Sequence, residues 1–191
     1  MAGAVRARAT VVDTRGTAGG RHGGLVVRLK HHTDGATSIT CTRADGSSTW
    51  QRFEGATAMV FPGHDLTHYA VETTLGYARG FYGLLAEGWA IQDFAKPWPR
   101  GPIPEEAREV ELIVGFLDAE RREGLTWSTE EFASHAALFL DATRARGKDA
   151  PAAVRLPRAE VLLAVRTCRD DLLRRWMATP PGGEVVLTFP P

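Results

Sequence analysis

Between residues 25 and 53 the apolar positions recur with a period of two. Leu25, Val27 and Leu29 alternate with Val26, Arg28 and Lys30, and Asp34-Gly35 supplies a turn. Ile39 and Cys41 then alternate with polar residues from Ser38 to Arg43, a second turn falls at Asp45-Gly46, and an extended run resumes from Thr49 to Phe53. Alternation bounded by such turns predicts three antiparallel strands, each with one buried face. Beyond Phe61 the period lengthens. Leu66, Ala70, Val71 and Leu75 are spaced for one face of a helix, which the Pro62-Gly63 pair is expected to start at residue 63 or 64 and Gly76 to stop. A second, glycine-punctuated apolar segment from Phe81 to Ile91 reads as a buried helix, and the proline-rich stretch from Lys96 to Pro104 as a non-helical crossover.

Helical patterning then strengthens. Pro104 opens a segment from Glu105 to Arg122 with Ala107, Val110, Ile113, Val114 and Leu117 on one face and Gly124 at its end. Ser128 and Glu131 have capping-box spacing, and Trp127 and Phe132 have that of a hydrophobic staple. Pro157 introduces a last helix with a stripe of Val161, Val165, Cys168, Leu172 and Trp176. The chain ends on Glu184 to Phe189, where Val185, Leu187 and Phe189 alternate with Glu184, Val186 and Thr188. A terminal strand needs partners for its backbone groups, and the N-terminal meander is the available sheet. The expected class is therefore α+β: a small antiparallel sheet of N-terminal meander plus C-terminal strand, packed on about five helices.

Length and composition fit one domain. With 191 residues, 43% hydrophobic and 24% charged, the chain can bury a core without staples. Residues 1–23, with scattered arginines and a TAGGRHGG run, are expected to form a flexible segment, leaving 24–191 as a single α+β domain. Balanced charge, 23 basic against 23 acidic side chains, argues against a nucleic-acid partner. No run approaches the roughly eighteen apolar residues of a membrane span. Cys41 and Cys168 lack a close CxxC partner, so two buried, reduced thiols and a cytoplasmic location are expected.

One stretch, FPGHDLTHYAVE from Phe61 to Glu72, carries candidate chemistry. His64 and His68 lie one helical turn apart, so two imidazoles can converge on one ion. A helix starting at Gly63 or His64 would put His64 and Asp65 in the field of its N-terminus, favouring neutral imidazole and ionised carboxylate. His64, Asp65 and His68 are thus the expected ligands of a divalent cation, zinc first and iron or manganese as alternatives. Glu72, eight residues past His64, stands about 12 Å from it along the axis. It is therefore expected to assist His68 and the chemistry from behind the ligands. A further ligand would come from another helix, with Glu87, Glu111, Asp118 and His135 all open. The aromatics around the motif, among them Trp50, Tyr69, Tyr77, Phe81, Tyr82, Trp89 and Trp98, either line a pocket or pack the core.

HDLTH resembles the HExxH zinc-hydrolase motif with aspartate in place of glutamate, which shortens the would-be base by one methylene. It also resembles the HDxxH motif of the ubiquinone-biosynthesis protein family, whose zinc site acts on a quinone ring. That family carries a later glutamate where this chain has Gly80. HDLTHYAVE followed by GFYGLLAEGW is similar to a bacterial family without an assigned activity. Together these readings lead us to expect a metal-dependent hydrolase or lyase for a small molecule, with Asp65 and Glu72 as catalytic residues. The alternative is a non-enzymatic binding or accessory module in which the histidine cluster is structural.

Overall fold

The computed structural model describes residues 24–147, 151 and 154–191; the expected flexible segment 1–23 lies outside the described residues. Three strands come first, β1 (Leu25–His31), β2 (Thr37–Thr42) and β3 (Ser48–Phe53). Five helices follow, α1 (Ala56–Leu75), α2 (Phe81–Ala86), α3 (Glu105–Glu123), α4 (Thr129–Ala145) and α5 (Ala159–Met177), with a 3₁₀ turn at Ile91–Phe94. Strand β4 (Glu184–Phe189) closes the chain. The class is α+β.

The sheet is antiparallel in the order β3-β2-β1-β4. The C-terminal strand pairs with β1, where Leu25 faces Phe189, Val27 faces Leu187 and Leu29 faces Val185. On the other side of β1, Val27 faces Cys41 and Leu29 faces Ile39. All of these residues are buried and join one core with Leu66 and Ala70 of α1, Tyr82, Leu84 and Leu85 of α2, and Leu172 and Trp176 of α5. Each large side chain so buried contributes about 1.5–3 kcal/mol. A second core lies among the helices, where Val71 and Tyr77 meet Val110, Ile113, Val114 and Leu117 of α3, Phe132 of α4, and Leu162 and Val165 of α5. Helix α1 therefore belongs to both cores, which explains why apolar residues occur around much of its circumference.

The first helix departs from the expected start. It begins at Ala56 and runs through Pro62 rather than starting after it. An interior proline leaves the carbonyl four residues earlier without its helical donor. Here that carbonyl is Ala58 O, and the Thr37 hydroxyl of β2 lies 3.4 Å from it as a replacement donor. His64 is consequently two turns inside the helix, and the expected N-terminal field does not act on it as a first-turn effect.

The second helix is shorter than its apolar run. It stops at Ala86, and Gly88, at φ 109°, turns the chain before the 3₁₀ turn. Arginines satisfy the exposed carbonyls: Arg43 donates to Leu85 O at 2.6 Å and also to Trp89 O, and Arg100 donates to Gly88 O at 2.7 Å. At α4 the capping box is present, with Glu131 N donating to Ser128 Oγ at 3.2 Å and Ser128 N to Glu131 Oε2 at 2.7 Å. Trp127 and Phe132 also meet across that end. Helix α5 begins at Ala159, two residues beyond Pro157, and buries Leu162 and Arg169 rather than Val161 and Cys168. Arg169 is accommodated because it donates to Leu117 O at 3.2 Å and, with Arg166, faces the buried Glu120 carboxylate.

Candidate metal centre

Helices α1 and α3 pack side by side, and the histidines of α1 meet carboxylates of α3. His68 Nε2 lies 3.1 Å from Glu111 Oε2, and His64 Nε2 lies 3.8 Å from Glu111 Oε1. The two imidazoles stand edge to face with centroids 4.7 Å apart. Each of His64, His68 and Glu111 offers a ligand atom, all within 4.8 Å of one another. Metal–ligand bonds of about 2.1 Å in a tetrahedral site imply ligand–ligand spacings of about 3.4 Å, close to the two distances from Glu111. Glu111 is 62% exposed, so its side chain is the one able to adjust.

The outer nitrogens are also engaged. His64 Nδ1 donates to Asp118 Oδ2 at 2.9 Å, and Asp118 is fixed in turn by the Thr67 hydroxyl at 3.1 Å and by Arg121 at 3.5 Å. His68 Nδ1 lies 3.3 Å from Glu72 Oε1, while Glu72 Oε2 accepts from Tyr82 N at 3.0 Å and Gly83 N at 3.3 Å. Both imidazoles thus turn Nε2 toward a shared carboxylate and Nδ1 toward a separate one. A carboxylate behind a histidine fixes the ring and raises its basicity as a ligand.

The charge balance follows from these contacts. Burial pulls the His68 pKa down, but the carboxylates of Glu111 and Glu72 outweigh it and hold the value up at about 10. For Asp118 burial pushes upward, and for the more exposed Glu111 partial loss of solvent around the carboxylate does the same, but the facing histidines win and leave both carboxyls below their ordinary range. Asp65 differs. Burial dominates and pushes it up to about 7, against the downward pull of His64 and His68.

The sequence-derived residues are therefore divided. His64 and His68 come together as one face of α1. Asp65 sits one step around the helix, on the wall of a cavity of about 280 Å³ shared with Ile39, Gln51, His64, His68 and Glu111. Its Oδ2 is buried without a hydrogen-bond partner among the described residues, and it is not in the three-residue group. Glu72 lies behind His68. Of the residues left open, Glu111 and Asp118 reach the histidines, Glu87 pairs with Arg79 at 2.8 Å, and His135 stacks on Trp127 with centroids 4.0 Å apart. A faint signal for the α3 pair exists in sequence: Glu111 and Asp118 are seven residues apart, hence on one face beside its apolar stripe.

Gly80 has a local reason. A Cβ there would lie 2.4 Å from the carboxyl carbon of Glu72, so this position yields its space to the carboxylate behind His68. The acidic group facing both histidines comes from α3 instead.

A larger cleft of about 790 Å³ opens on the other side of His68 and Glu111. Phe81, Phe94 and Trp98 line it together with Phe116 and Phe139, which are further from the motif in sequence. The remaining motif aromatics take other places: Tyr77, Tyr82 and Trp89 are buried in the cores, Tyr69 is half-buried against the first core with its hydroxyl donating to Thr188 O at 2.8 Å, and Trp50 is exposed on the sheet. Trp98 adopts a left-handed φ of 56° at this wall, a conformation uncommon for residues other than glycine.

No family model, curated protein or solved structure matches the chain. Among the described residues no helix is long and apolar enough to cross a membrane.

Proposed function

We propose that this chain is a metal-dependent enzyme of the hydrolase or lyase type acting on a small molecule, with His64, His68 and Glu111 as ligands of one divalent cation. The observation that carries the reading is the paired orientation of the imidazoles: Nε2 of each faces Glu111, and Nδ1 of each is occupied by Asp118 or Glu72. Two histidines and one carboxylate suit zinc first, with the open facial site of iron as the alternative. Such a cation would polarise a carbonyl or lower the pKa of water. The chain's own contribution is to orient the two rings, to exclude water from the buried side of His68, and to leave the exposed side of Glu111 facing the cleft.

Asp65 takes the proton-transfer role in this reading, because it lines the smaller cavity together with all three ligands while Oδ2 has no competing hydrogen bond among the described residues. Glu72 is a positioning residue, acting through His68.

Cobalt substitution tests the proposal. The Co(II)-loaded protein is expected to show the intense visible bands of a four- or five-coordinate site, and azide should perturb them by entering an open position. A spectrum insensitive to azide, with the ion bound, would instead favour a closed structural site. Failure to bind cobalt, zinc or iron would exclude both.

A further inference from the structure

The larger cleft has a feature that neither helix formation nor packing explains. Gly115 lies in the interior of α3, where glycine is disfavoured. Its φ is not in the left-handed region, and a Cβ built on it would meet no heavy atom within 4 Å. Gly80, by contrast, gives way to the Glu72 carboxylate and Gly83 to the Ala78 carbonyl. What Gly115 leaves empty is space in the cleft, whose wall it forms with Glu111 and Phe116 of the same helix.

A second observation concerns Thr143 of α4. It is only 6% exposed, lines the same cleft, and its hydroxyl has no hydrogen-bond partner among the described residues. Burying an unmet hydroxyl is costly, and a turn of the Thr143 side chain about its Cα–Cβ bond would bring the hydroxyl, closed to solvent here, onto an acceptor group of a molecule bound in the cleft. The rest of the wall is chiefly aromatic and aliphatic, and a volume of about 790 Å³ falls in the range of about 300–1,000 Å³ typical of small-molecule sites.

We infer that the cleft takes a small molecule with a flat apolar body and a hydrogen-bond-accepting group, such as a carbonyl or carboxylate. Gly115 admits the body, Thr143 donates to the acceptor, and the far end reaches His68 and Glu111. The last point rests on the cation reading; binding in the cleft does not. Gly115 is thus a specificity-determining residue, and the helix tolerates it because the space is used.

The probe is 8-anilinonaphthalene-1-sulfonate, which combines an aromatic body with acceptor oxygens. Fluorescence titration of the native protein should show one saturable site. Gly115→Leu and Gly115→Phe should each weaken binding at least tenfold while metal content and helical circular dichroism stay unchanged. Leucine is the safer variant, because it favours helix and should keep or raise the thermal midpoint. Thr143→Val should weaken binding several-fold. Undiminished binding by both glycine variants, or the lack of a saturable site in the native protein, would overturn the inference. Probe binding that survives in a protein unable to hold metal sinks only the cation reading. A metal-loaded protein indifferent to Gly115 substitution sinks only this one.

Discussion

Glu72 and Gly80 share one space: the carboxylate of Glu72 fills the volume that a side chain at position 80 would need, with 2.4 Å between its carboxyl carbon and a Cβ built there. Glu72 is 1% exposed and joins His68 to the backbone at the start of α2. Gly80→Ala must displace it from contacts to Tyr82 N, Gly83 N and His68. The expected cost is about 1–3 kcal/mol, since the buried donors lose their acceptor. Urea unfolding measures it, and an unchanged midpoint would show that the carboxylate has another place to go.

Asp118→Asn tests the support behind His64. Asparagine keeps the shape but cannot supply the charge that holds Nδ1–H, and outer-partner substitutions typically weaken metal binding by about 10–100-fold. Competition with a chromogenic chelator gives the affinity, while circular dichroism should remain that of the native protein. Native affinity in the variant would mean that His64 is oriented by packing alone.

Metal binding should release protons. His68 has its pKa raised to about 10, so at neutral pH the ring is protonated, whereas a ligand imidazole must give up the proton on Nε2. Affinity should therefore rise with pH, by up to about tenfold per unit, until pH passes about 10. Calorimetry in two buffers of different ionisation enthalpy counts the protons. About one proton from His68 is expected at pH 7, and none released would contradict the placement of that residue among the ligands.

Pro62→Ala addresses the helix that carries the histidines. The substitution restores an N–H to reach Ala58 O in place of the weak Thr37 contact at 3.4 Å. A less constrained unfolded chain offsets part of the gain, leaving about 1–2 kcal/mol of expected stabilisation. Thermal unfolding reads it directly. A lowered midpoint would mean that the proline, rather than the alanine, fits this turn better.

The strands and most helices were legible because their apolar period and their turn residues agree. Val27, for instance, alternates in sequence and faces both Cys41 and Leu187 in the sheet. The start of α1 was not legible, since the donor that makes Pro62 tolerable comes from Thr37, on a different strand. The histidine pair announced itself through local spacing, which fixes His64 and His68 on one face whatever the tertiary structure. Glu111 did not, because its meeting with His68 across 43 residues depends on how α3 docks on α1. Asp65 shows the same limit from the other side: adjacency to His64 in sequence turns its side chain about 100° around the helix, toward the sheet and the smaller cavity.

Occupancy of the His64, His68 and Glu111 group is read by elemental analysis of untagged protein purified without added metal. About one equivalent of a divalent transition metal per chain is expected, falling below a tenth in the His64→Ala/His68→Ala double variant while its circular dichroism stays native. Full retention of the ion by that variant would show that the two histidines do not hold it.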